Sequence, residues 1–522
     1  MRKTIKSCKN KTTTALKQKD KMINMTKQIK LLLLFMIISN TAAFANGITV
    51  SNISISGQNT VEHYSLVNFD ISWDNSWRIN ASPANWDAAW IFVKYRPQNQ
   101  TTWKHATLHW VDGTGTADGH TVPANATIAS SNDNGSGGAH GVFVYHDSAM
   151  PQGSVNYTGA KLRWDYGADG LPDGDLVEVC VFAIEMVYVP QGSFELGSGG
   201  TEANHFYKYP ITTNTYTVNS ENAITVGTTA GNLYYNADSG VAGDRSGPIP
   251  AAFPKGYHAF YCMKYEISQD QYTAFLNKLT GTQDANRFPN RDGISRHAIA
   301  GSSGNRTTTR PYVACNYLSW GDLAAYLDWA ALRPMTELEY EKACRGTKSP
   351  VPNEYAWGTT NIAGNAYTIS NAEAANEDIA TNYSTSAGNA NYNTTNDNIG
   401  GPLRCGIFAG NAGNTGRETS GATYYGIMEM TGNLSERTVT VGDNSGRAFT
   451  GTNGDGMLAT NGDANTVNWP GASAIGVGSR GGAALLSIFP LERLHSSSRI
   501  LAASPSTARS NSSGGRGCRT AP

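Results

Sequence analysis

Charge is scarce in this chain of 522 residues: Asp, Glu, Lys and Arg together make up 16%, and the net charge is -1. No basic field is available to hold nucleic acid or an anionic membrane surface. Long apolar runs are also missing. The run Leu31 to Ile38 is too short and wrongly flanked for a spanning helix, which needs about 20 apolar residues. Cysteine is sparse, at 7 in the whole sequence. Cys180, Cys262, Cys315, Cys344, Cys405 and Cys518 follow residue 45, and none is spaced as a CxxC pair or a zinc ribbon. In an oxidising compartment some could pair, but each is equally readable as a small buried apolar residue, and no connectivity is assigned. The last absence is local. Ser479 to Pro522 contains no Lys, Gln, Met, Trp, Tyr or Asp.

What is present is a globular composition. Hydrophobic residues make up 39% and aromatics 10%, while Gly 56 marks a turn-rich chain. The length suggests two to four domains. Lys27 and Lys30, the apolar run Leu31 to Ile38 and the small-residue site Ala43-Phe44-Ala45 compose a cleavable leader over residues 1–45. The Lys-rich Met1 to Lys21 before it places the translation start at Met22 or Met25. Export follows as the expectation, to the periplasm, the cell surface or the medium.

Residues 46–185 carry short alternating runs: Ile48 to Ile55, Leu66 to Trp73, Ala88 to Tyr95, Trp103 to Trp110, Gly141 to Tyr145, Lys161 to Tyr166 and Val177 to Ile184. Turn-forming clusters separate them, so an antiparallel β-sandwich is predicted. It contains no catalytic cluster of His, Cys and carboxylates. From Met186 onward helices appear. Ser268 with Gln271, Ser319 with Asp322 and Thr336 with Glu339 are capping pairs that predict helices over Gln269 to Leu279, Trp320 to Leu332 and Glu337 to Arg345, the last stopped by Gly346. Thr359 to Gly416 reads as loop.

Tyr265-Glu266-Ile267-Ser268 with Gln271-Tyr272, Arg333-Pro334-Met335-Thr336-Glu337-Leu338-Glu339-Tyr340-Glu341, Tyr355-Ala356-Trp357-Gly358, Gly426 to Glu436 and Arg480-Gly481-Gly482 occur in this order. Together they resemble the formylglycine-generating enzyme, or sulfatase-modifying factor, family. The resemblance implies an α+β fold: a loop-rich C-type lectin variant spanning 186–522, preceded here by the β-sandwich domain. It also implies a calcium site using the carboxylates of Glu429 and Glu436 and the carbonyls of Gly432 and Leu434, an oxygen set suited to a hard cation. Asn391 and Tyr392 fall near a second family calcium site. Copper is not expected. The family's enzymes bind it with two cysteines after the RGG turn, and alignment on Arg480-Gly481-Gly482 puts Leu486 and Leu491 there. The sulfur-transfer relatives need a His-bearing helical domain that residues 46–185 do not supply.

The C-terminal composition has a possible cause in the genetic code. Adenine mutagenesis of an Asn codon reaches every codon ending in C or T, and those codons exclude Lys, Gln, Met, Trp and Glu. From Ala483 to Pro522 only Glu492 departs from that alphabet. Variable proteins of diversity-generating retroelements resemble this family and carry their variable region at this end. The expectation is a non-catalytic receptor or adhesin whose region 483–518 binds an unknown protein or glycan ligand. The contacts expected are Ala484, Leu485, Leu486, Ser487, Phe489, His495, Ser497, Ile500, Leu501, Ser510, Asn511, Ser512 and Ser513. Most of Arg480, Arg493, Arg499, Arg509, Arg516 and Arg519 are expected to be structural, bonding carbonyls and carboxylates in a loop-rich core. Two alternatives stay open: an undiversified component of the bacterial envelope or of gliding or secretion machinery, and an oxidase of the formylglycine-generating type.

Overall fold

The computed structural model describes residues 47–111, 119–236, 241–364, 366–392, 399–485 and 491–522. The expected leader over residues 1–45 lies outside them, as do Leu486, Ser487 and Phe489. The fold is α+β, with six α-helices among the described residues and a strand-rich remainder. No helix among those residues is long and apolar enough to cross a membrane.

Two antiparallel sheets dominate. The five-stranded sheet runs Thr49–Asn59, Tyr64–Arg78, Met150–Trp164, Leu108–His109 and Gly138–Ala139. The eight-stranded sheet runs Arg333–Pro334, Gly517–Thr520, Phe260–Met263, Val177–Val189, Asp87–Pro97, Val142–His146 and Ala126–Ala129, with Lys104–His105 paired onto Asp87–Pro97. Strand Asp87–Pro97 shows why they stack. Its alternate residues Ala89, Ile91, Val93 and Tyr95 share a core with Val67, Phe69, Leu162 and Trp164 of the five-stranded sheet. Ala88, Trp90 and Phe92 point the other way, into the core built by the helices. A strand covered on both faces reads as one apolar run, here Ala-Ala-Trp-Ile-Phe-Val.

The expected strand Trp103 to Trp110 is broken for a topological reason. Lys104–His105 pairs in the larger sheet and Leu108–His109 in the smaller, so the chain changes sheets between them. Residues 185 and 186, where the sequence suggests a division, are consecutive in strand Val177–Val189. That strand pairs with Asp87–Pro97 along its length and with Phe260–Met263 at its end. Lys264 fastens the same junction, donating to Glu185 Oε2 at 3.1 Å and Asp87 Oδ2 at 3.3 Å, with all three buried.

The principal helices are α1 (Gln269–Leu276), α2 (Gly281–Arg287), α3 (Trp320–Trp329) and α4 (Glu337–Arg345). All three expected capping boxes form, and Thr280 with Gln283 makes a fourth on α2. α3 ends three residues before its expected end. Ala331 takes a left-handed φ of 54° while its N–H donates to Asp328 and that of Leu332 to Leu327, the pattern usually built on glycine. α4 stops as expected, at Gly346 with φ 64°. A Cβ there would lie 2.0 Å from the Tyr424 ring.

Candidate functional site

α4 is the floor on which the C-terminal segment rests. Its turns place Glu337 and Glu341 inward, both fully buried. Arg499 grips Glu337 with two parallel bonds, Nε to Oε2 at 2.8 Å and Nη2 to Oε1 at 2.9 Å. Arg480 reaches Glu337 Oε2 at 3.3 Å, Glu341 Oε1 at 3.0 Å and the Ser496 carbonyl at 2.8 Å. Thr440 Oγ1 and Val441 N also donate to Glu337. Burial alone would raise its carboxyl pKa, but Arg499 and then Arg480 more than offset that and hold it below the usual range.

The second half of the segment is fixed in the same way. Arg509 makes a paired contact with Asp322 at 2.7 and 2.8 Å and donates to the carbonyls of Phe288 and Asn286. Arg516 bonds Glu436 and the carbonyls of Met263 and Lys264. Arg519 bonds Asp133 and the Ala331 carbonyl. These five arginines are structural, as expected of most of the six, while Arg493 is half-buried beside the cleft that Ile500 and Leu501 line. Arg480, Arg499, Arg516 and Arg519 are buried and each serves two or more acceptors at once, and Arg499 and Arg509 are bidentate on a single carboxylate in a way a lysine cannot reproduce.

Between the two ends of the segment lies the loop 429–436. Gly432 N donates to Gly481 O, Ala484 N to Asn433 O and Ser435 N to Ser512 O, so one loop ties both ends together. A Cβ on Gly481, whose φ is 84°, would come within 2.7 Å of the Met430 carbonyl, so the RGG turn needs its glycine. Glu429 and Asn433 adopt φ of 53° and 58°. Asn suits that region and Glu does not, so the packing around Glu429 imposes the conformation.

The carboxylates here are crowded. Glu429 Oε1 accepts from Gly406 N at 2.7 Å and Glu436 Oε1 from Arg516, while the second oxygen of each is buried without a partner. Burial pushes the Glu429 pKa up to about 7, partly offset by Arg516, and raises Glu436 as well. Sequence reasoning missed Glu266, which accepts from Leu434 N at 2.7 Å and from the Asn433 amide, and whose pKa burial and then Glu436 hold well above the usual range. The signal was a lone acid between the apolar Tyr265 and Ile267. Asn391 joins the same cluster through Asn433, with its Oδ1 unpartnered. No group of three or more His, Cys, Asp or Glu side chains among the described residues is placed to hold a metal ion. The unpartnered oxygens of Glu429 and Glu436 are what fits a hard cation.

The expected ligand contacts divide by burial. Ala484, His495, Ser497 and Ser513 are buried, whereas Leu485, Ile500, Leu501, Ser510, Asn511 and Ser512 are half-buried. Leu486, Ser487 and Phe489 lie outside the described residues. His495 packs edge-on against Tyr355, ring centres 5.2 Å apart, and burial lowers its pKa. Ile500 and Leu501 meet Ser435, Gly482 and Arg493 around a shallow cleft of about 10 Å³. Leu491 is 47% exposed.

A strand-rich fold whose RPMTELEYE helix clamps the RGG turn defines a sulfatase-modifying-factor type of domain. The family described as "Sulfatase-modifying factor enzyme 1-like domain" matches residues 175–483, more than half of the sequence, and this chain belongs to it. No curated protein matches the chain.

Proposed function

We propose that this chain is an exported, non-catalytic binding protein. A β-sandwich over 46–185 displays a C-type-lectin-like domain over 186–522, and region 483–518 offers interchangeable side chains to a protein or glycan ligand. The observation that carries the reading is Leu486 and Leu491, at the positions where the family's enzymes keep their copper-binding cysteines. Leucine neither ligates copper nor exchanges a disulfide. Two further features support it. Burial pushes the pKa of Cys344, which interacts with Arg480, up to about 12, where a thiol is a poor nucleophile. The family match ends at Ala483, inside the stretch Pro470 to Pro522 in which Glu492 alone departs from the restricted residue alphabet. The arginines on Glu337, Glu341, Asp322, Glu436 and Asp133 give such a segment a frame that its other residues need not maintain. Purified protein incubated with copper and a cysteine-bearing sulfatase peptide is expected to leave the peptide mass unchanged, and conversion of the cysteine to formylglycine would contradict the proposal.

Calcium belongs to the same reading. The carboxylates of Glu429 and Glu436 and the carbonyls of Gly432 and Leu434 would hold it, and the ion would add positive charge to three buried carboxylates that Arg516 and Arg404 leave with raised pKa values. Because this loop bonds both Gly481 and Ser512, removing the ion is expected to loosen both ends of the C-terminal segment. A chelator should lower the melting temperature and added calcium restore it, whereas an unchanged melt would remove calcium from the account.

A further inference from the structure

Strand Gly517–Thr520 is held on one side by Phe260–Met263, and their register sets Cys262 directly opposite Cys518. Ala521 N donates to Ala259 O in the same register, so pairs 259/521 and 261/519 are of the hydrogen-bonding type. Cys262/Cys518 is therefore a non-hydrogen-bonded pair, the type in which Cα atoms approach to about 4.5 Å and facing side chains are closest. Directly opposite residues also share a face of the sheet. The separation typical of such a pair falls within the range of about 4.4–6.8 Å that a disulfide spans. Both residues are free thiols fully buried in the core with Met335, Tyr340 and Cys344, and Cys262 Sγ donates to the Met263 carbonyl at 3.6 Å. Burial, and then the neighbouring thiol, hold Cys518 well above the ordinary thiol range.

We propose that Cys262 and Cys518 are a cross-strand disulfide site that staples the strand following the candidate binding segment to the core of the fold. The two thiols lose two protons and two electrons as one S–S bond forms. The oxidant is a disulfide carrier, such as an oxidised dithiol oxidoreductase or oxidised glutathione. Its own S–S bond breaks through a mixed disulfide, and it leaves as two thiols carrying those electrons and protons. Neither folded thiol is accessible, so the bond forms before strand Gly517–Thr520 docks and resists reductant afterwards. The inference stands on strand register and is independent of ligand binding.

The test is to refold the full chain in a glutathione redox mixture, block free thiols in denaturant and digest without reduction. A Cys262 peptide linked to the Cys518 peptide is expected. Recovery of both as blocked thiols, or of either linked to another cysteine, would overturn the proposal. Oxidised protein should also melt about 5 °C above protein refolded in reductant. The Cys262→Ser/Cys518→Ser double variant should lose that difference and Cys405→Ser should keep it. If the double variant does not fold, the unmodified chain decides the matter, because equal melting of its oxidised and reduced forms contradicts the staple.

Discussion

Glu337 is the residue on which most of the C-terminal segment depends. It receives Arg499, Arg480, Thr440 and Val441 in a site closed to water. Replacing it with Ala leaves two buried guanidinium groups short of a partner, and a loss of about 3–5 kcal/mol is expected in denaturant unfolding. A change under about 1 kcal/mol would mean that the arginines find other acceptors. Glu185 offers a pH test. Burial raises its pKa to about 7 in spite of Lys264. A carboxyl raised above its unfolded value of about 4.5 contributes stability below that pH, and the contribution is lost as pH rises through 7. Relative to Glu185→Gln, the native chain is therefore expected to lose roughly 1–3 kcal/mol between pH 4.5 and pH 8, measured by urea midpoints. At this scale the arginines were legible in the sequence, because bidentate donors recur through a segment otherwise made of small residues. Glu266 was not, since nothing in a single acid shows that the backbone carrying it is buried.

Among the elements, helix starts were legible, and a helix end was legible only where glycine marks it, as Gly346 does for α4. Ser268, Ser319 and Thr336 announce themselves by a partner three residues on, and each box forms. The end of α3 has no glycine to mark it, because Ala331 takes the left-handed position. Thr280→Ala on α2 is expected to cost about 1 kcal/mol of stability, since Thr280 and Gln283 satisfy each other's backbone N–H groups. A neutral substitution would show that packing alone holds that helix. Strand positions followed the apolar alternation, but pairing partners did not, because register depends on residues far apart in the chain. The sheet change within Trp103 to Trp110 is the clearest case: the run looks continuous and feeds two sheets.

Over the whole molecule, the eight-stranded sheet joins what composition separates. Val177–Val189 begins the span matched by the family and pairs along its length with Asp87–Pro97, while Trp90 donates to the Ala330 carbonyl at 2.8 Å behind α3. A chain cut to residues 186–522 would lose residues 177–185 of that strand together with its partner Asp87–Pro97, and bare Tyr261, which stacks on Phe143 at 3.8 Å. It is expected to give no cooperative melt, whereas the full chain gives one transition. A native-like melt of the shortened chain would show that the sheet junction is dispensable. The candidate site was legible in part for a related reason. The sequence located the segment and its frame, but the buried positions of Ala484, His495, Ser497 and Ser513 emerge only once α4 and loop 429–436 fold against them.

The central claim, a replaceable surface on a fixed arginine frame, is tested most directly by deep sequencing of the codons for residues 480 to 519 across a population of cells, together with the DNA downstream. The account predicts substitutions at adenine positions of a near-copy template beside a reverse transcriptase gene, with the codons for Arg480, Arg499, Arg509, Arg516 and Arg519 unchanged. A single invariant sequence with no template copy would contradict it.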